Sequence, residues 1–311
     1  MGTPDFALPS LDALARGPDE VVAVYTQPDR AAGRGRRVVA SPVKRWAEEA
    51  GIPVLTPTSF RKPEVIEELR GWRPDVVVVA AYGKLLPREV LGVPARGVLN
   101  VHPSLLPRHR GASPVASAIL NGDPITGVTI MLLDEGLDSG PVLAREEEAV
   151  LGTDTTETLT NRLAEMGARL LVATLPRWTE GLVEAIPQEE SDATVCRRIA
   201  VEDAEIDWTA SADRMWRQVR AYQPWPGSFT WWRGERLKIL EGEPLEGPSP
   251  APGLVVPITG EGQSGIGVHT GQGLYRLGRV QPSGGKAMTG EAFAAGRREF
   301  VGSRLPDGRP G

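Results

Sequence analysis

Apolar and polar positions along the chain fall into two regimes. Up to about residue 175, short apolar runs alternate with segments of helical period. VVAVYT (21–26), DVVVVAA (75–81) and GVLNVH (97–102) are β-branched stretches, apolar almost throughout. Runs of this kind read as strands buried on both faces, because a half-exposed strand would alternate. Shorter strands are expected at 52–55, 127–133 and 142–147. Helices are expected at 8–16, 43–50, 62–70, 112–120 and 155–175. In the first, Leu8, Leu11, Leu14 and Ala15 share one side, and Gly2-Thr3-Pro4 reads as the turn that feeds it. Strands interleaved with helices predict a parallel sheet with right-handed crossovers, a doubly wound α/β domain.

The pattern changes after residue 186. Residues 187–204 are polar and without period, as in a linker. A helix is expected at 211–221. It is followed by SFTWW, RLKIL, GLVVPI, GIGVHT and LYRLGRV, short strand-like pieces separated by Gly and Pro. Five such strands at this spacing predict a small β-barrel of the OB-like kind. The expected organisation is therefore a first domain over 1–186, a linker over 187–204 and a barrel domain over 205–311.

With 311 residues the chain has room for two ordinary domains, and its 41% hydrophobic content is normal for a globular protein. No apolar run approaches the roughly 18–20 residues of a membrane span, so no membrane association is expected. The single cysteine, Cys196, excludes an internal disulfide and suits a reducing cytoplasm. A buried apolar role for Cys196 is the ordinary expectation. One cysteine and three histidines are poor material for a zinc site, and no metal is expected.

The net charge of −5 argues against bulk attraction to polyanions, but its distribution says more. Residues 28–45 hold Arg30, Arg34, Arg36, Arg37, Lys44 and Arg45 against the single acid Asp29. From residue 205 onward, thirteen basic residues face eleven acidic ones. One strong positive patch on an otherwise acidic body points to one anionic contact. Gly33 and Gly35 let this segment bend, and guanidinium groups fork onto phosphates and stack on bases. The alternative is a solvated surface loop.

The densest chemistry lies in NVHPSLLPRHRGASP (100–114) and DEGLDSGPVL (134–143). Asn100 and His102 end a predicted buried strand, where open α/β sheets bind ligands. Residues two apart in a strand share a face, so an amide and an imidazole would enter one crevice. Together they could stabilise an oxyanion and move a proton. Asp138, in a glycine-flanked loop, could reach back and favour the charged form of His102. The structural alternative is that Asn100 and Asp138 are turn formers and His102 a strand-end histidine. No G-x-S-x-G elbow is present to suggest a serine hydrolase.

NVHPSLLPRHRGASP and GVTIMLLDEGLDSGPVL resemble the formyltransferases that use 10-formyltetrahydrofolate. GTPDFALPSLDAL (2–14), TQPDRAAGRGRRVVASPVK (26–44), AEIDWTASADRMWRQVRAYQPWPGSF (204–229) and VQPSGGKAM (280–288) narrow the resemblance to the methionyl-tRNA formyltransferase family. It runs through essentially the whole chain. It implies a Rossmann-like catalytic domain followed by an OB-like barrel that holds tRNA. It also implies transfer of a formyl group to the α-amino group of methionine on initiator methionyl-tRNA, without metal or ATP, with 10-formyltetrahydrofolate as co-substrate.

The resemblance makes Asn100, His102 and Asp138 the catalytic set. It places the folate beside Ser104, Leu105, Leu106 and Pro107, with YGKLLP (82–87) as a further wall. It assigns the tRNA acceptor arm to Arg30, Arg34, Arg36, Arg37 and Lys44, in a cytoplasmic monomer. Trp225, Trp231 and Trp232 read either as stacking platforms or, with more weight, as core. Two other functions are weighed. A formyltransferase for an amino-sugar nucleotide would need neither the arginine-rich segment nor the barrel. A catalytically inactive tRNA-binding protein would not need the Asn–His–Asp set. Finally, GTPDF resembles the turn after the first strand of that catalytic domain. The first strand is therefore expected to be missing here, the chain being truncated ahead of Met1.

Overall fold

The computed structural model describes residues 1–32, 37–260 and 263–308. Its backbone divides into two compact units. The first comprises residues 1–114, 124–149 and 159–197; the second comprises 115–123, 150–158 and 198–311.

In the first unit, α1 (Leu8–Arg16) leads to β1 (Val24–Tyr25). The hairpin strands β2 (Arg30–Ala32) and β3 (Arg37–Val39) follow, then α2 (Pro42–Glu49), β4 (Val54–Leu55) and α3 (Pro63–Gly71). Next come β5 (Val77–Val79), α4 (Arg88–Leu91), β6 (Val98–His102) and β7 (Arg110–Gly111); α5 (Pro114–Asn121), which follows in the chain, falls in the second unit after its first residue. The unit continues through β8 (Ile125–Leu132), β9 (Val142–Ala149), α6 (Thr156–Thr179) and β10 (Val195–Cys196). Strands β1 and β4 pair in parallel, as do β5 and β6. Met1 and Gly2 stand between these two pairs. Gly2 N–H donates to Tyr25 O (3.0 Å), Ala80 N–H donates to Met1 O (2.9 Å), and Gly2 bridges Ala80 in parallel. The position expected for a first strand is thus held by two residues. A cavity of about 990 Å³ adjoins them, lined by Leu11, Leu14, Val22, Val24, Val76 and Val78 among others. The Met1 amine donates to Val78 O (2.6 Å), and burial brings its pKa down to about 5.

The wholly parallel sheet expected from the sequence is corrected at its far side. Strand β8 runs antiparallel to β6, and β9 runs antiparallel to β8. Only a loop joins β8 to β9. A parallel pairing would need a long crossover, so these two strands must form a hairpin. The sheet remains an α/β sheet with helices against it. A Cβ at Gly167 of α6 would fall 2.7 Å from Val101 Cγ1, so only glycine lets α6 come this close to β6.

The segment 187–204, expected as a linker, is structured and divided between the units. Up to Arg197 it packs into the first: β10 pairs in parallel with β7, and Arg110 N–H donates to Thr194 O (2.8 Å). Gln188, Glu190 and Thr194 reach partners in the first unit, which the polarity of the segment alone does not reveal.

The second unit holds α7 (Ala212–Ala221), β11 (Phe229–Trp232), β12 (Glu235–Leu245), β13 (Val255–Gly260), β14 (Gln263–His269), β15 (Leu274–Pro282), β16 (Met288–Thr289) and α8 (Gly290–Ala295). Its antiparallel ladder runs β11-β12-β15-β14-β13, with β16 on β15. Register shifts after Ile239 and Glu241 mark irregularities in β12 that bend a strand. Trp208, Leu237, Val268, Tyr275, Leu277, Phe293 and Phe300 build its core. Trp232 lies edge-on to both Phe293 and Phe300 at 5.5 Å, and Trp231 to Phe229 at 5.9 Å. Of the three tryptophans considered as stacking platforms, Trp225 is the exposed one, at 56%. Arg214 and Arg217 of α7 donate to the Leu120 and Asn121 carbonyls, both at 3.0 Å, and so cap the C-terminal end of α5. Among the described residues no helix is long and apolar enough to cross a membrane.

Candidate active site

Strand β6 presents the first two groups. All five of its residues are buried, and Asn100 and His102 alternate with Leu99 and Val101, so they share a face. Asn100 pairs with Val79 on one side and Met131 on the other; His102 lies opposite Thr129. The Asn100 amide makes no hydrogen bond among the described residues and is available to a ligand.

The chain after His102 fixes the imidazole. Ser104 Oγ donates its only hydrogen to Arg108 O (2.7 Å). It must therefore accept from His102 Nδ1, 3.0 Å away. Nδ1 carries a proton, and Nε2 is the nitrogen left for chemistry. Thr129 holds the same loop: its hydroxyl donates to Ser104 O (2.7 Å) and accepts from Leu106 N–H (3.2 Å).

Asp138 reaches in from the loop between β8 and β9. Its Oδ2 lies 3.3 Å from His102 Nε2. The two face one another as a charge contact. Their alignment falls short of a hydrogen bond, which leaves Nε2 buried and without a formed partner. Oδ2 also accepts from Gly111 N–H at 2.8 Å. Burial by itself would push the Asp138 carboxyl up. The approach of His102, the Gly111 N–H and the Arg110 guanidinium outweigh burial and hold it below its usual range. His102, 4% exposed, thus sits in a low-dielectric pocket with a carboxylate on one nitrogen and a hydroxyl on the other.

The four residues expected to line the folate are not equivalent. Ser104 and Leu106 are fully buried, and the Ser104 hydroxyl is used twice over by His102 and Arg108. The Ser104 hydroxyl, so engaged, sets the imidazole tautomer. Leu105 and Pro107 stay partly accessible beside a shallow cavity of about 450 Å³, whose walls include Arg108, Arg145, Glu147 and Thr194. The loop 82–87 presents Leu85 at 88% exposure. Thr3 Oγ1 donates to Tyr82 O (3.2 Å), which ties the opening turn of the chain to that loop.

Of the basic residues expected to meet tRNA, Arg34 and Arg36 lie outside the described residues. Arg30 and Arg37 stand in the antiparallel hairpin β2–β3, Arg30 opposite Val39 and Arg37 opposite Ala32. Lys44 is on α2, its Nζ held by Asp29 at 2.7 Å. That hydrogen bond raises the Lys44 ammonium above its usual range. Among the described residues no cluster of three or more His, Cys, Asp or Glu could hold a metal ion.

The sequence reading missed Arg110, Gln188 and Glu190. Arg110 stands inside the informative motif; Gln188 and Glu190 sit in the stretch taken for a linker, where nothing local announces burial.

Comparison with known proteins agrees with this arrangement. Residues 1–175 match the model of the formyl transferase family, and residues 198–298 match that of the formyl transferase C-terminal domain. The methionyl-tRNA formyltransferase of Streptomyces coelicolor is 49% identical over 308 residues, covering 98% of each chain. That of Chloroflexus aggregans is 47% identical over 301 residues, covering 95% of this chain and 96% of its own. The sugar 3N-formyl transferase WlaRD, solved with dTDP and 5-N-formyl-THF, matches in fold with a TM-score of 0.64 at 16% identity, over 90% of this chain and 94% of that one. HypX from Aquifex aeolicus, solved with tetrahydrofolic acid, gives a TM-score of 0.58 at 19% identity, over 82% of this chain and 44% of that one. With both domain models matched in order and near-full-length identity approaching one half, the chain belongs to the methionyl-tRNA formyltransferase family.

Proposed function

We propose that this protein transfers the formyl group of 10-formyltetrahydrofolate to the α-amino group of methionine on initiator methionyl-tRNA, with Asn100, His102 and Asp138 as its catalytic residues. The observation that carries the assignment of these residues is the buried, unpartnered His102 Nε2 facing Asp138 at 3.3 Å on the same strand face as Asn100. The bound folate supplies an activated formyl group. The oxygen of that group gains negative charge when the amine attacks, and the Asn100 amide is placed to donate to it; once His102 Nε2 has taken the proton that the attacking amine loses, its N–H can donate as well. Donors fixed in advance at a buried site lower such a barrier without reorganising. The Asp138 carboxylate balances the charge of an imidazolium, so His102 can take up a proton and release it toward the departing nitrogen.

The folate is proposed to rest against Leu105 and Pro107, the accessible side of the loop. The acceptor arm is proposed to meet Arg30, Arg34, Arg36 and Arg37, while Lys44 braces Asp29 beside them. The protein is proposed to act in the cytoplasm as a monomer. Neither an amino-sugar nucleotide acceptor nor a catalytically inactive tRNA-binding role is favoured by any feature of this chain.

The test is incubation with 10-formyltetrahydrofolate and charged initiator tRNA, and separately with an amino-sugar nucleotide. Formyl-methionyl-tRNA is the expected product. Formylation of the sugar alone, or tRNA binding without turnover, overturns the proposal.

A further inference from the structure

Asp138 occupies a backbone conformation uncommon for residues with a side chain, though aspartate enters it more readily than most. Its φ is +50°, in the left-handed region that side chains with a Cβ seldom adopt. Such a conformation persists where the surroundings over-determine it. Here the surroundings are a chain of buried hydrogen bonds. Gln188 Nε2 donates to the Asp138 carbonyl (2.8 Å) and to the Gly140 carbonyl (2.7 Å), gripping both sides of the strained residue. Gln188 Oε1 accepts from Arg110 Nε at 3.0 Å, which settles which end of the amide faces the loop. The two terminal nitrogens of Arg110 fork onto Glu190 at 3.0 and 2.8 Å.

Arg110 and Gln188 are 6% and 9% exposed, so the bonds between them and onto the Gly140 carbonyl act in a low-dielectric interior, while Glu190 anchors the outer end from the exposed side. Neither side chain touches His102. Both belong to the frame that aims Asp138 at it. Gln188 and Glu190 also fall in residues 176–197, between the two stretches matched by family models.

We infer that Arg110 and Gln188 are positioning residues. Anchored by Glu190, they lock the Asp138 backbone and thereby hold its carboxylate against His102 Nε2. This rests on the catalytic role proposed above for Asp138. A side chain in the loop between β8 and β9 would otherwise sample several directions, and proton transfer tolerates little misplacement. Outer partners of this kind typically change activity 10- to 100-fold.

The charged groups around the Asp138 carboxylate come from three elements. They are His102 on β6, Arg110 on β7 and, behind Arg110, Glu190 on the turn Glu190–Asp192. If the loop loosens, the carboxylate loses part of the stabilisation from His102 and Gly111 N–H while remaining partly buried. Its protonation then moves to higher pH, and so does the acid limb of the kcat profile.

The test uses the full chain with Gln188→Leu, Gln188→Glu and Arg110→Lys, and Glu190→Gln as the mildest change. Gln188→Glu keeps the size and the Arg110 contact but turns a carboxylate oxygen onto two carbonyls. For both Gln188 variants, kcat is expected to fall about 10- to 100-fold. KM for folate and tRNA should stay within about two-fold, since neither substrate meets Gln188. The acid limb should move up. Arg110→Lys keeps the charge but loses the fork, so it should retain more activity than Arg110→Met. Glu190→Gln should shift kcat in the same direction and least.

A second readout needs no substrate. The His102 ring signals, among three histidines, should move in Gln188→Leu toward those of Asp138→Asn. Unchanged ring signals in a folded Gln188→Leu protein overturn the inference, whatever the enzyme's activity. An unchanged kcat and acid limb overturn it too, as does a loss that appears wholly in KM. Failure of the wild type to form formyl-methionyl-tRNA would sink the proposed function instead, and the ring signals would still decide the positioning role.

Discussion

The two units bury different things. The second has a core of Trp208, Tyr275, Leu277, Phe293, Phe300 and their aliphatic neighbours, and its aromatic rings pack edge to face, Phe293 to Phe300 at 4.8 Å. The first also has an apolar cluster, with Phe60 between Tyr25 and Tyr82. Beside it, however, the first unit buries Asn100, His102, Ser104, His109, Arg110, Thr129 and Gln188. Buried polar groups cost stability unless each finds a partner. In the second unit some are satisfied locally, as when Trp208 Nε1 donates to Thr230 Oγ1 at 3.0 Å, while His269 Nδ1 and the Tyr275 hydroxyl stay buried without a partner among the described residues and lie apart from any such cluster. In the first unit the buried polar groups around β6 form a connected network, within which His102 Nε2 and the Asn100 amide are left without a formed bond. The difference shows where the fold is spent on shape and where it is spent on chemistry.

The largest effect expected from this contrast is kinetic. His102→Ala and Asn100→Ala should each lower kcat on the order of 10²–10³-fold, because each removes a donor to the developing charge. Chemical denaturation should register little change beside that loss. If either variant turned over at the parental rate, the polar network of the first unit would be structural after all.

The mirror experiment is Phe300→Ala in the second unit. It should cost about 3–5 kcal/mol of folding stability, read from denaturant midpoints, since Phe300 is fully buried between aromatic rings. A cost under about 1 kcal/mol would mean that this core collapses around the gap and is less closely packed than its ring geometry implies.

A pH effect separates the units further. For protein made with Met1 as its first residue, the buried amine has its pKa lowered from 8.0 to about 5. Between those values the unfolded chain holds a proton that the folded chain does not. Stability should therefore rise with pH from about 5 to 8, by at most about 4 kcal/mol, and the penalty should be complete below pH 5. The lowered Asp138 carboxyl acts in a separate, more acidic window, its contribution lost as pH falls through its folded value. Acetylating Met1, or extending the chain by an apolar strand toward the cavity beside it, should remove the slope between pH 5 and 8. A slope that survives acetylation would assign it to other groups.

The smallest effects belong to the surface. Arg34→Ala should weaken use of tRNA by about 1 kcal/mol and flatten its salt dependence, sparing folate binding. Equal loss of both would remove the role given to the arginine-rich segment. Lys44→Ala should leave the denaturation midpoint almost unchanged, since a solvent-screened ion pair with Asp29 contributes little.

How much of this was legible beforehand follows from the range of each signal. The β-branched runs 75–81 and 97–102 marked β5 and β6, because burial on both faces leaves an uninterrupted apolar pattern. The i, i+2 spacing of Asn100 and His102 put them on one face before any coordinates, because alternation is a property of the extended backbone. The direction of β8 and β9 was not legible: an apolar run says that a strand is buried, not which way its neighbour runs. The family resemblance placed Ser104 beside the folate but says nothing of its hydroxyl. Only the positions of His102 Nδ1 and the Arg108 carbonyl show that its hydroxyl is already used.

By itself, the sequence determined the succession of an α/β unit and an antiparallel unit, the presence of the three side chains proposed as reactive and the positive charge of residues 28–45. These depend on local pattern and residue type, and the chain carries them wherever it goes. Tertiary structure decided what surrounds those groups. It brought Gln188 across some fifty residues to Asp138 and Gly140 and Glu190 across 80 to Arg110, set the proton on His102 Nδ1 through Ser104, and held Asp138 at a positive φ. The reason is that hydrogen bonding and electrostatic strength depend on distance, alignment and burial, and between residues far apart in the chain only the folded arrangement specifies all three.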